Sequence, residues 1–326
     1  KRIVLFYTSF FIIIIFDSLL QFYTGRNLLG FEITSRRISS FFNDELILGG
    51  FLLRTLPIFL IYFVMSEMFH DKKMNILLLI LIAFTSFIIF LSGERSSFFL
   101  LFLFFFTLFF ISKDLRKFIS YVMISFIIIS TLLLNFENPN NIDPTNRMFK
   151  KTYNQVVGRD AEYLQLDKKK VIDKFYLFSH DHQSHYKLSF NIFKDHILLG
   201  SGVKGFRNLC ANKIYTLNNE DGCTSHPHNT YIQILVSNGL IGFFLIVLVF
   251  FYVLREIFIC RIRLRKNEDF NKLDVSKAIA ISAIFVNIWP FVPNGSFFNN
   301  WLSMIYFYPV GFYLYFKYKT EKNFFK

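Results

Sequence analysis

Acidic residues are scarce in this chain: 23 Asp and Glu stand against 36 Lys and Arg in 326 residues, and charged residues of both signs make up only 18%. So little charge, beside 53% hydrophobic residues and 47 phenylalanines, excludes a disordered chain and an ordinary soluble domain. Three cysteines exclude a disulfide-dense scaffold. No internal repeat or low-complexity segment appears. No small-residue cleavage site follows the first apolar run, so that run is not expected to be a removable signal peptide. The net charge of +13 suggests nucleic acid, but the basic residues cluster at the ends of apolar runs rather than in a binding stripe, and no nucleic-acid partner is expected.

What is abundant is apolar sequence in blocks long enough to span a bilayer, at a mean hydropathy of +0.41. The blocks predict an all-α polytopic membrane protein with about eight transmembrane helices: 3–20, 46–66, 74–91, 96–112, 118–135, 230–254, 275–293 and 298–316. The chain starts at Lys1 and enters the first block at once, so earlier helices are expected upstream. Basic links at 70–73, 113–117 and 261–266, with the basic tail at 317–319, orient those segments to the cytoplasm. Segment 21–45, the turn at 92–96 and the loop 136–228 then face outward. Three regions result: 1–135 with five helices and the outer segment 21–45, the loop domain 136–228, and 229–326 with three helices. The loop is too long for a connector. Its turn-rich start, 137–144, and its helical spacing at 146–157 and 183–195 predict a mostly helical cap.

Several polar constellations stand out from this background. Arg36 and Arg37 lie in an outer segment, against the tendency of basic residues to stay inside, and suit either an anionic lipid surface or a bidentate grip on a diphosphate. Arg95 sits in the polar turn Ser92-Gly93-Glu94-Arg95-Ser96-Ser97, where small neighbours leave room for a bulky anion. Arg207 ends the glycine-rich stretch Gly200-Ser201-Gly202-Val203-Lys204-Gly205-Phe206-Arg207; with no strand before it, that stretch is a turn needing positive φ rather than a nucleotide loop. His180-Asp181-His182-Gln183-Ser184-His185 has the look of a metal cluster, but histidines in polar loops are common, and no metal is expected. Cys210 and Cys223 share the outer loop, where an oxidising compartment would join them in a disulfide.

The most informative stretch is Ser225-His226-Pro227-His228-Asn229-Thr230-Tyr231, at the boundary between polar loop and apolar run. A histidine at the mouth of a membrane helix is a functional candidate by default. Pro227 biases His226 to the incoming loop, whereas His228 opens the helix. After His228-Asn229 come nine residues and then Gly239-x-x-Gly242, two glycines expected to share a close-packed helix face.

This histidine–glycine spacing resembles the signature of the O-antigen ligase and O-antigen polymerase superfamily. The arginine stretch at 36–46, the Arg95 turn and the glycine-rich segment resemble further parts of it. Asn238 departs from the pattern, since relatives often carry an acidic residue before the first glycine. The resemblance implies a C-type glycosyltransferase in the bacterial inner membrane with its active site facing the periplasm. It implies undecaprenyl-diphosphate-linked glycan as donor, lipid A–core or a growing glycan as acceptor, membrane lipid around it, and no cofactor. His228 is then the catalytic base. Arg95, Arg36, Arg37, Arg207 and Asn229 would bind substrate. Ligase is the favoured activity, polymerase the alternative, and a lipid-linked glycan transporter a second alternative. The transporter is disfavoured because the chain has one long external loop and its polar residues at the outer mouth, where transporters commonly show paired repeats and discontinuous helices.

Overall fold

The computed structural model describes residues 1–136, 140, 142–156, 178–216, 222–266 and 271–322. Residues 137–139 and 141 of the expected turn, and 157–177 of the expected cap, lie outside the described residues. The protein is all-helical. Among the described residues the only extended pairings are two isolated bridges, Arg26 with Glu32 and Thr34 with Arg37. The helices are α1 (Arg2–Thr24), α2 (Leu48–Met65), α3 (Lys72–Leu91), α4 (Arg95–Ile111), α5 (Lys113–Leu134), α6 (Lys151–Val156) and α7 (His180–Asp195). They continue as α8 (Gly205–Leu209), α9 (Lys213–Thr216), α10 (Thr230–Lys266), α11 (Lys272–Asn287) and α12 (Asn300–Lys322). Five of these, α1, α2, α3, α5 and α10, are long and apolar enough to cross a bilayer, and α4 is a shorter apolar helix.

The chain forms two compact units. The first comprises 1–144, 253–287 and 305–326. Here α2 is the central element, 83% of its apolar window buried, with α1, α3, α4 and α11 against it. By contrast α5 is only 17% buried, and Ile124, Ile127, Ile128 and Leu132 stand exposed along it. An apolar helix with that much bare surface is covered by lipid when it crosses a bilayer.

Buried charge links the closing helices of this unit. The Glu256 carboxylate, 2% exposed, accepts a 2.6 Å hydrogen bond from the Tyr313 hydroxyl and lies 3.5 Å from Lys317 and 3.9 Å from Lys277. Asp274 pairs with Arg263 at 3.1 Å. Charges this deep are tolerated because each finds an opposite partner.

The second unit comprises 145–252 and 288–304. A π-helical turn, Asn146–Lys150, leads into α6 where a helix is expected at 146–157. Ser179 caps α7 by accepting the His182 N–H, and one face of α7 buries Leu188 and Ile192 against Phe206, Cys210 and Val236. The main feature is a crossing of two backbones. At Gly239, inside α10, φ is 64° and ψ −162°, which is not helical. Segment 197–202 fills the break. Ser201 N–H donates to Val236 O (2.8 Å), Gly202 N–H to Ser237 O (2.9 Å), and Leu240 N–H to Ile197 O (2.8 Å). In an unbroken helix Val236 O would receive Leu240 N–H; both groups are satisfied by the crossing segment instead.

The crossing corrects one expectation. Gly239 and Gly242 do not form a close-packed pair on one helix face, because Gly239 leaves the helix. What approaches closely is the backbone at Leu198 and Gly200. A Cβ at Gly239 would overlap the Leu198 carbonyl, and one at Gly200 (φ 72°) the Ser237 main chain. Gly239→Ala and Gly200→Ala should therefore greatly reduce the yield of folded protein on size-exclusion chromatography. Gly311→Ala, exposed in α12 with nothing within 4 Å, should raise stability by about 0.5–1 kcal/mol in thermal unfolding.

Candidate active site

The start of α10 is held by the segment that follows α11. Asn229 Oδ1 accepts the N–H groups of Tyr231 (3.0 Å) and Ile232 (3.1 Å), while its Nδ2 donates to Pro290 O (2.8 Å). Asn229 is thus the helix cap, tied to the neighbouring segment. Tyr231 OH donates to Ile288 O (2.8 Å), and Gln233 binds Ser296 Oγ and Phe297 N–H, both at 2.9 Å. This anchoring over-determines the residue just before the cap. His228 has φ 58°, uncommon for a residue with a side chain, and its carbonyl accepts Asn294 N–H at 2.9 Å.

Three more imidazoles surround that of His228. Ring centroids lie 4.1 Å away for His226, 5.5 Å for His185 and 5.8 Å for His182. Neither ring nitrogen of His228 has a hydrogen-bond partner among the described residues, and the side chain is half-exposed. Burial, and then the neighbouring His226, His182 and His185, push its pKa down to about 3. His226 is lowered as well, mainly by burial, with the Asn294 main chain opposing and His185 adding. The site therefore holds a neutral imidazole with available lone-pair density at neutral pH.

The flanking histidines are fixed from outside the cluster. His185 Nδ1 lies 2.9 Å from Gly222 O, and His182 Nδ1 lies 2.6 Å from Ser179 Oγ. Gly222 precedes Cys223, which is joined to Cys210 by a disulfide with Cα atoms 4.9 Å apart. Among the described residues no group of three or more His, Cys, Asp or Glu side chains is arranged to hold a metal ion. Arg207 lies exposed on α8, within the same unit.

The other arginines belong to the first unit. Arg36 is exposed at φ 54°. Arg37 is largely buried: Nε donates to Ser92 O (2.8 Å), Nη2 to Leu46 O (3.4 Å), and Nη2 stands 3.9 Å from Glu94. Glu94 in turn caps α2, its two oxygens accepting Gly49 N–H (2.6 Å) and Gly50 N–H (2.9 Å), with Ser97 Oγ donating at 3.0 Å. Burial raises the Glu94 pKa, against the downward pull of Arg37, Gly49, Ser97 and Gly50. So the turn carrying Arg95, first residue of α4, is tied both to Arg37 and to the N-terminus of α2.

Besides Lys277, a second buried cation is absent from the sequence reading. Arg54, 9% exposed inside α2, donates to Gly50 O (2.9 Å) and to Tyr306 OH (3.1 Å), with the Tyr306 ring 5.0 Å from its guanidinium carbon. Its signal was present, an arginine interrupting the apolar run 46–66.

A family model described as O-Antigen ligase matches residues 78–247, just over half of the chain. The chain belongs to the O-antigen ligase family. That places it in the ligase–polymerase superfamily of glycosyltransferase-like membrane enzymes, whose substrates are in general terms a lipid-linked glycan and an acceptor. No curated protein matches it. The O-antigen ligase match covers Arg95, α7, the disulfide and His228, and begins after Arg36, Arg37 and Arg54.

The capping role of Glu94 is testable in this family member. Glu94→Ala leaves two helix-terminal amides without their acceptors and removes the carboxylate beside Arg37, and should destabilise the protein by about 2–5 kcal/mol. Glu94→Gln keeps an acceptor oxygen in place and should cost less. Thermal unfolding of the detergent-purified variants reads the difference; equal melting temperatures for both and wild type would contradict the capping role.

Proposed function

We propose that this chain is an O-antigen ligase acting at the periplasmic face of the inner membrane, moving a glycan from undecaprenyl diphosphate to lipid A–core. The reading rests on one observation: His228, inside the family match, is a neutral imidazole with unengaged nitrogens, held in a strained backbone at a helix mouth. An acceptor hydroxyl attacks the anomeric carbon of the donor sugar. As the new carbon–oxygen bond forms, the bond to the diphosphate oxygen breaks and its electron pair leaves with the diphosphate. The hydroxyl proton passes to His228, acting as general base.

The leaving diphosphate gains negative charge, which the planar guanidinium forks of arginine stabilise well. The family resemblance assigns that task to Arg95 first, at the N-terminus of α4, with Arg36, Arg37 and Arg207 as further contacts; of these, Arg207 belongs to the unit that carries His228. Arg37 is already oriented by Ser92 and Glu94, which favours a positioning part for it over a free grip.

The test is transfer by purified protein in lipid nanodiscs, with donor binding measured in parallel. His228→Ala should fold, bind donor, and lose about 10²–10⁴-fold in rate. Near-normal turnover would remove His228 from the mechanism. Offering lipid A–core or a second lipid-linked repeat as acceptor separates ligase from polymerase. Because the base stays neutral until well below its ordinary pKa, lowering the pH from 7 to 5 should leave it in its active form. A rate falling tenfold per pH unit from 6.5 downward would contradict that.

A further inference from the structure

If His228 takes a proton in each turnover, that proton must leave before the next. We propose that His185 is the group that receives it, making His185 a proton-relay residue beside the base. The inference rests on the reading of His228 as general base and extends it to a second residue.

One hydrogen bond fixes where His185 carries its own proton. A carbonyl oxygen has no hydrogen to give, so His185 Nδ1 must be the donor in its 2.9 Å contact with Gly222 O. Neutral His185 then carries its lone pair on Nε2 and can accept a proton there. His182 is held differently: its Nδ1 lies 2.6 Å from Ser179 Oγ, which also accepts the His182 backbone N–H at 3.3 Å, and its ring stands 5.8 Å from that of His228 at 79°.

His226 is nearer to His228, but at 4.1 Å between centroids, with planes tilted by 44°, the two rings are too close for an in-plane N–H···N bond, which sets imidazole centroids about 5 Å apart. The His185 and His228 rings are 5.5 Å apart with planes 34° from parallel; no hydrogen bond joins them while both are neutral, but the separation is one that an N–H···N bond spans once His228 carries the extra proton. His185 is half-exposed and can hand the proton on to water.

The proton balance closes without a further reagent. The acceptor hydroxyl gives its proton to His228; His228 gives a proton to His185 Nε2 and returns to neutral; His185 releases one to solvent. Gly222, whose carbonyl sets the His185 tautomer, is next to the disulfide-bonded Cys223, so the Cys210–Cys223 bridge anchors the relay.

The test uses the full chain in nanodiscs, with His185→Asn as the variant. The Asn amide can still donate to Gly222 O but has no titratable nitrogen. Its kcat should fall about 10- to 100-fold with KM unchanged, and added imidazole buffer should restore much of the loss in proportion to its concentration. Wild-type kcat should not depend on buffer concentration. Three outcomes overturn the relay: wild-type kcat in His185→Asn, a loss that imidazole does not rescue, or a wild-type rate that rises with buffer. His228→Ala in the same assay separates the two readings. If it is inactive while His185→Asn is unaffected, the base stands and the relay falls; if it is active, the base itself is wrong.

Discussion

Crowding of like groups governs the proposed site. Four imidazoles lie within ring contact in a half-buried pocket, so each proton added raises the cost of the next, and burial penalises even the first. His226 and His228 are thereby held below the ordinary histidine pKa, and His228 is neutral at the pH where a general base is needed. Neutrality alone would not be enough, since a neutral histidine is useful only with a lone pair aimed at open space. The strained φ of His228, imposed by Asn229 capping on one side and the Asn294 hydrogen bond on the other, keeps that ring clear of the helix it precedes.

A second constraint is backbone accounting. A break in an apolar helix exposes polar groups that lipid cannot satisfy. At Gly239 the crossing segment 197–202 supplies the missing partners, and so it joins the loop that follows α7 to the helix that follows His228. The histidines of α7 and the 226–228 segment are thus set by one continuous hydrogen-bonded arrangement, with the disulfide as a covalent tie on the same loop. Two glycines make this possible, and each is required because another main chain occupies the place of its Cβ.

Much of this was legible in the sequence. The apolar runs gave away the helices because membrane helices are apolar all round, and His228 stood out because an ionisable group at such a boundary is costly. What was hidden is whatever depends on distant partners. Gly239 was visible as a helix glycine, but nothing local shows that residues some forty positions earlier cross it. His182 and His185 looked like metal ligands by spacing; that they flank His228 depends on how the loop folds back. The resemblance points to Arg37 and Asn229 as substrate contacts, but nothing in it shows that the protein's own backbone also holds both side chains. Arg54 was passed over because it lies inside a run whose average hydropathy is high.

The central claim, that His228 is a neutral base at working pH, is most directly tested by an NMR titration. The protein is labelled at the histidine ring carbons, with His228→Gln used to assign the His228 signal. The account predicts that this signal keeps its neutral shift from pH 7.5 down to pH 5, because burial and three imidazole neighbours oppose protonation. A His228 signal titrating with an ordinary midpoint of about 6.5 or above would contradict it.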